Sequence, residues 1–210
     1  MSTLNKMVDV QTIDILNEKK LNVVKRKSKK TQILLYDTQR RSDDFIMKLK
    51  YRNNERYEDV PHYLITKTGI IYKIFNTNFS SKTFGDQMID KKQIKIVLEN
   101  LGWLKKNTIT GVLNNWVDDP YRLEPFIKKW RGYFFWDTYT EEQVSSLVSL
   151  CKELCKENGI PYQTVPSQGF LENVTKFNGI VCKSNFQNIY TDINPSFNFK
   201  NFYNDSKETE

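Results

Sequence analysis

The apolar positions of this chain fall into short runs separated by lysine- and asparagine-rich stretches, with one longer stretch at helical spacing. TQILLYDT (Thr31–Thr38) is a compact apolar run closed by Asp37, the pattern of a buried strand. PHYLITKTGIIYKIFN (61–76) carries two further runs, HYLIT and IIYKIF, on either side of KTG. Gly69 supplies the conformation a tight turn needs, so a β-hairpin is predicted there. QIKIVLEN (93–100) alternates and then turns apolar, which predicts another strand. In YTEEQVSSLVSLCKELCKENGIP, the residues Val144, Leu147, Val148, Cys151, Leu154 and Cys155 recur at the period of a helix. Thr140 with Gln143 three residues on reads as a capping box, and Gly159 and Pro161 end the helix. FNGIVCKSN predicts the next strand, while RRSDDFIMKLKYRNNERYEDV is of mixed helical and polar character. Strands interleaved with a helix predict an α/β (α+β) single domain with a mixed central β-sheet.

The same pattern sets the expected boundaries. Residues 1–30, with NEKKLNVVKRKSKK, predict a basic N-terminal arm that is solvated or held by a partner. Residues 31–200 make the domain, and 201–210 a polar, frayed tail. Within the domain, 102–139 is an aromatic-dense insertion holding all four tryptophans, Trp103, Trp116, Trp130 and Trp136. These are candidates for a ligand-stacking or protein interface, since Trp, Tyr and Arg dominate interface hot spots. The alternative is a satellite cluster folded onto the core.

Composition narrows the function classes. At 210 residues and 39% hydrophobic, the chain can bury a substantial core. Its net charge of +7 suits nucleic acid, an acidic polymer or an acidic protein partner. Nucleic acid is disfavoured, because the basic arm lacks interleaved aromatics and no base-reading motif is present. The longest apolar runs are only a few residues, so no membrane-spanning helix is expected. The N-terminus has no apolar core of the signal-peptide kind, and the expectation is synthesis in the cytoplasm. Three cysteines, Cys151, Cys155 and Cys182, make no disulfide framework, and the first two are expected as a packed pair on the helix. There is one histidine, His62, which excludes any chemistry requiring two.

The order strand, hairpin, strand, capped helix, strand and TD-x-x-P-x-F resembles the type-2 N-acetylmuramoyl-L-alanine amidases and the peptidoglycan recognition proteins. PHYLITKTGIIYKI is similar to that family's HY-x-I-x-x-x-G-x-I-Y hairpin, YTEEQVSSLVSLCKELCKENGIP to its T-x-x-Q helix ending in GIP, and TDINPSFNF to its TDPGPAFDW. The resemblance covers roughly residues 31–200. It implies a zinc ion held by two histidines and a Cys or Asp, with an open place for water, and cleavage of the bond between the glycan's lactyl group and the first L-alanine. Carried over by position, the first histidine falls on Tyr36, the catalytic glutamate on Val97, and the final aspartate on Asp192. The second histidine falls on Cys182 or Lys183, depending on register. The helper lysine of one subgroup falls on Tyr190. Glu99, two residues beyond Val97, shares its strand face.

This set is poor for zinc, with Lys183 expected to repel a metal and pair with Asp192. The expectation is therefore no metal and no catalytic residue, in an amidase fold retained for structure or recognition. Tyr36, His62, Thr191 and Asp192 are the expected groove residues. The long insertion and the AT-biased composition look like a tailed-phage protein. The expected partners are other tail or baseplate proteins, with peptidoglycan a candidate ligand and the virion the expected location. The alternative is an active zinc-dependent amidase of the endolysin or tail-lysin kind.

Overall fold

The computed structural model describes residues 10–12, 23–51 and 59–202. Its strands are β1 (Val10–Thr12), β2 (Val23–Val24), β3 (Gln32–Asp37), β4 (Tyr63–Ile65), β5 (Ile71–Lys73), β6 (Ser80–Ser81), β7 (Gln93–Leu98), β8 (Trp103–Lys106), β9 (Leu113–Asn114), β10 (Pro120–Tyr121), β11 (Phe126–Trp130), β12 (Tyr133–Trp136) and β13 (Gly179–Cys182). The helices are α1 (Ser42–Tyr51), α2 (Gln87–Asp90) and α3 (Glu141–Asn158). A six-stranded mixed sheet, in the order β1-β5-β4-β7-β3-β13, forms the centre. Strands β4, β7, β3 and β13 run parallel, and β5 is antiparallel to β4.

All six residues of β3 and all six of β7 are buried. A strand in the middle of a parallel sheet is covered on both faces, which is why ILLY and IVL read as continuous apolar runs. The exceptions are polar and paired. Gln93 donates to Gln32 Oε1 at 3.2 Å, and Gln32 donates to the carbonyls of Val174 and Phe177 at 2.7 Å each. Lys95, wholly buried, binds Asp90 at 3.0 Å.

Helix α3 packs Leu147, Val148, Leu150, Cys151, Leu154 and Cys155 inward, close to the predicted face, and Cys151 and Cys155 are free buried thiols. Thr140 caps its start by accepting from Gln143 N–H at 3.2 Å, and Gly159 ends it in the left-handed conformation. The Gln143 side chain does not complete the predicted reciprocal box. It is buried and donates to the carbonyls of Ile65 and Glu99, both at 3.0 Å, pinning the helix to the ends of β4 and β7. Gly69 in the β4–β5 turn has φ +81°, and a Cβ there would lie 2.8 Å from the Glu142 carbonyl oxygen. The turn thus presses directly on α3, with Ser146 Oγ donating to Gly69 O at 2.7 Å.

Residues 102–139 form a second sheet, antiparallel throughout, in the order β10-β9-β8-β12-β11. Leu101, Leu104 and Tyr121, with Leu113 and Phe135, make its small core. Its base is stitched to the central domain. Asp137 accepts from Leu101 N–H at 2.7 Å and pairs with Lys67 at 2.9 Å, while Asn194 Nδ2 donates to Asn100 Oδ1 at 2.9 Å.

Two boundaries differ from expectation. The described parts of the N-terminal arm lie along the domain, where β1 extends the central sheet beside β5 and β2 pairs with β6. Lys30 is buried and donates to Phe79 O at 2.6 Å. The rest of the arm (1–9 and 13–22) lies outside the described residues. The predicted tail starts too early, because Phe202 is fully buried against Phe197 and Phe199. Residues 203–210 lie outside the described residues.

Candidate functional site

Parallel strands bring their C-terminal ends to one edge of a sheet, and ligand sites of such sheets form at that edge. Here β3 delivers Tyr36 and Asp37, and β13 delivers Cys182 and, one residue on, Lys183. The loop that follows returns Tyr190, Thr191 and Asp192 to the same place. The register is set by β13 lying beside β3 with Cys182 opposite Leu35.

The two candidates for one site position, Cys182 and Lys183, lie in different surroundings. Cys182 is wholly buried, and burial pushes its thiol well up from the ordinary range. Lys183 faces the groove. Its ammonium lies 5.1 Å from the centroid of the Tyr36 ring and 5.1 Å from that of Tyr190. The expected ion pair with Asp192 is not the one formed, since Lys183 Nζ is 3.4 Å from Asp59 Oδ2 instead. Asp59 is itself anchored, with Oδ1 accepting from Thr83 Oγ1 at 2.6 Å and from the Tyr36 hydroxyl at 3.2 Å. Burial opposes the Lys183 charge, but Asp59 and Asp192 outweigh it and raise its pKa. Burial also works against the Asp59 carboxylate, and Lys183 and Lys95 overcome it and hold the pKa down.

Two neighbouring carboxylates, Asp37 and Asp192, are buried beside this ion pair. Asp37 N–H donates to Asp192 Oδ2 at 3.4 Å, and the Tyr139 hydroxyl reaches both Asp37 oxygens, at 2.7 and 2.9 Å. Burial and the neighbouring Asp192 charge push the Asp37 carboxyl well above the carboxylate range. Asp192 is raised by burial against the opposing pull of Lys183.

Above these groups is a groove of about 530 Å³. One wall is the 183–192 loop; the other comes from the second sheet and includes Trp103, Arg131 and Tyr133. Trp103 and Tyr133 stack at 4.5 Å and 12°. Arg131 sits at the β11–β12 turn with φ 47°. Its guanidinium donates to Ser184 O at 2.9 Å, to Gln187 O at 3.0 Å and to Tyr190 O, with its plane over Trp130 at 4.5 Å. The insertion therefore builds half of the groove and braces the other half.

Several predicted positions lie elsewhere. His62 does not line the groove: it is wholly buried, stacked on Phe75 at 4.1 Å, and Nδ1 accepts from Lys95 N–H at 2.9 Å. Val97 is core, and Glu99 is structural, accepting from Ser42 N–H at 3.1 Å at the start of α1 and from Lys67 N–H at 3.0 Å. Trp136 is fully buried, with Nε1 donating to Lys128 O at 2.8 Å, and so cannot serve an interface. Trp116 is exposed, under Arg40 at 5.0 Å, and Trp103 and Trp130 are half-buried. Thr191 and Asp192 do line the groove, and Tyr36 lies beneath it against Lys183.

These residues do not fit a zinc ion. A catalytic zinc takes three N, S or O donors, and the groove residues at the positions carried over from the ligands, Tyr36, Lys183 and Asp192, offer a phenol, an ammonium and one carboxylate. Among the described residues no three His, Cys, Asp or Glu side chains gather as a metal cage. His62 is spent on Lys95 and Phe79 in the core. Asp59, Arg131 and Tyr139 were not foreseen as site residues. No local pattern marks Asp59, although it lies only two residues ahead of the predicted hairpin.

Comparison with known proteins agrees with this architecture. Comparison of the sequence with curated proteins finds no match. The structure is similar to N-acetylmuramoyl-L-alanine amidase LysC from Clostridium intestinale URNW, at 12% identity, with 92% of this chain and 94% of that chain covered and a TM-score of 0.51. It is likewise similar to a selenomethionine derivative of AmpD, at 12% identity, 92% of each chain and a TM-score of 0.54. At such identities the likeness speaks for the fold. The sequence profile of the N-acetylmuramoyl-L-alanine amidases matches residues 27–176, from just before β3 to just before β13. With a match over most of its length and the fold to go with it, this chain belongs to the N-acetylmuramoyl-L-alanine amidase family.

Proposed function

We propose that this protein keeps the amidase fold without metal-assisted hydrolysis, and that its groove recognises a peptidoglycan fragment rather than cleaving it. The observation that carries this reading is the floor of the groove, where Lys183, one of the two residues that the resemblance offers for a family histidine, lines the space, while Val97, the residue it offers for the catalytic glutamate, lies in the core. An ammonium donates no lone pair to a metal, and a valine takes no proton. The half-buried Trp103 and Tyr133 give the groove an aromatic wall suited to holding a ligand. A place in a tailed-phage virion, after synthesis in the host cytoplasm, belongs to the same proposal. It is motivated by the composition and by the long insertion.

Family membership itself favours a second reading, an active N-acetylmuramoyl-L-alanine amidase. One experiment separates the two. Purified protein is mixed with purified peptidoglycan, and both co-sedimentation and released stem peptides are measured. The first reading expects co-sedimentation that Trp103→Ala weakens, with no peptide released. Peptide release abolished by a chelator would establish the second.

A further inference from the structure

We infer that the Lys183 ammonium is a built-in cation standing where a metal ion would sit, with Asp59 as its dedicated counter-ion. The inference rests on the carry-over of family positions used above, and it goes further by assigning the place to one side chain and its partner. Tyr36, carried over from the first family histidine, and Lys183, taken over the buried Cys182 for the second because it lines the groove, are neighbours because β3 and β13 lie side by side, with Cys182 opposite Leu35. The third matching position, Asp192, borders the same space and acts on the Lys183 charge. The ammonium thus lies beside the other two matching positions, Tyr36 and Asp192.

Its surroundings are those of a held cation. Two aromatic faces, Tyr36 and Tyr190, stand 5.1 Å away, a distance at which a ring quadrupole attracts a cation. Asp59 supplies the opposing charge at 3.4 Å. The Asp59 carboxylate does not depend on Lys183 for its orientation, since Thr83 and Tyr36 hold its other oxygen. The Lys183 side chain is only 17% exposed, so the charge is poorly screened by water and would repel a divalent ion entering the same space. Tyr36 completes the arrangement in a double role: its hydroxyl orients the counter-ion while its ring faces the ammonium.

The test uses zinc as the probe and the full chain. Wild-type protein equilibrated with zinc and desalted is expected to retain none, by elemental analysis, and to show no rise in Tm on zinc addition. The Tyr36→His/Lys183→His variant provides two imidazoles beside the native Asp192, and is expected to retain one zinc per chain and to gain Tm when zinc is added. Zinc retained by the wild type, or a folded double variant that retains none, would overturn the inference. If the double variant does not fold, a thermodynamic cycle decides. Lys183→Met is expected to lower Tm, and adding Asp59→Asn to recover part of the loss, because one uncompensated charge is removed with the other. Losses that simply add would refute the pairing. Peptide release by zinc-free wild type would overturn the proposed function and leave this inference standing. Zinc retained by the wild type without peptide release would do the reverse.

Discussion

Asp37 offers a direct test of the electrostatics beneath the groove. Its side chain is 5% exposed, and its surroundings combine burial, the charge of Asp192 and that of Asp137, opposed by the Tyr139 hydroxyl and by Lys67. The balance raises its pKa well above the ordinary 3.8. The folded state therefore keeps a proton that the unfolded chain gives up. The stability this preserves is fully present below about pH 4 and is lost as pH rises, at about 1.4 kcal/mol per unit until the folded-state pKa is passed. Asp37→Asn removes the titration. The amide oxygen still accepts from Tyr139, and the amide nitrogen can donate towards Asp192 rather than repel it. The variant should equal the wild type or fall slightly below it at pH 4 and exceed it at pH 8, the gap opening as pH rises at up to about 1.4 kcal/mol per unit. Urea unfolding at pH 4, 6 and 8 reads the difference. A variant less stable than wild type at pH 8, or a gap that does not change with pH, would refute the reasoning.

Three further outcomes are expected. Lys95→Met strands the buried Asp90 carboxylate and should cost about 3–5 kcal/mol in urea unfolding, whereas adding a neutral residue at Asp90 should recover part of it. Leu147→Ala, at a wholly buried position of α3, should cost about 2–5 kcal/mol by the same measurement. Arg131→Ala frees the carbonyls of Ser184, Gln187 and Tyr190, so amide exchange across 184–190 should quicken while that of β3 and β7 stays unchanged.

The sequence by itself determined the central frame. Strands β3, β7 and β13, the β4–β5 hairpin and helix α3 all lie where periodicity and capping residues put them, and their order suffices for the family. These signals are local. A buried parallel strand must be apolar along its length, and a helix end must satisfy its own backbone. Even so, local signals mislead where distant segments compete for the same side chain. Gln143 reads as half of a capping box, but the Ile65 and Glu99 carbonyls claim its amide. Trp136 reads like the other tryptophans, but it is fully buried against Trp130 and Tyr133, with its indole N–H on the Lys128 carbonyl.

The candidate site was legible as a set of positions and not as an arrangement. Whether Cys182 or Lys183 faces the groove turns on the register of β13 against β3, and a shift of one residue would reverse the two. Asp59 becomes the partner of Lys183 across 124 residues of chain, and Arg131 reaches the Tyr190 carbonyl across 59. Only the tertiary structure decided these pairings. A buried charge must find its partner wherever the fold brings one within reach, and no periodicity along the chain records which segment that will be.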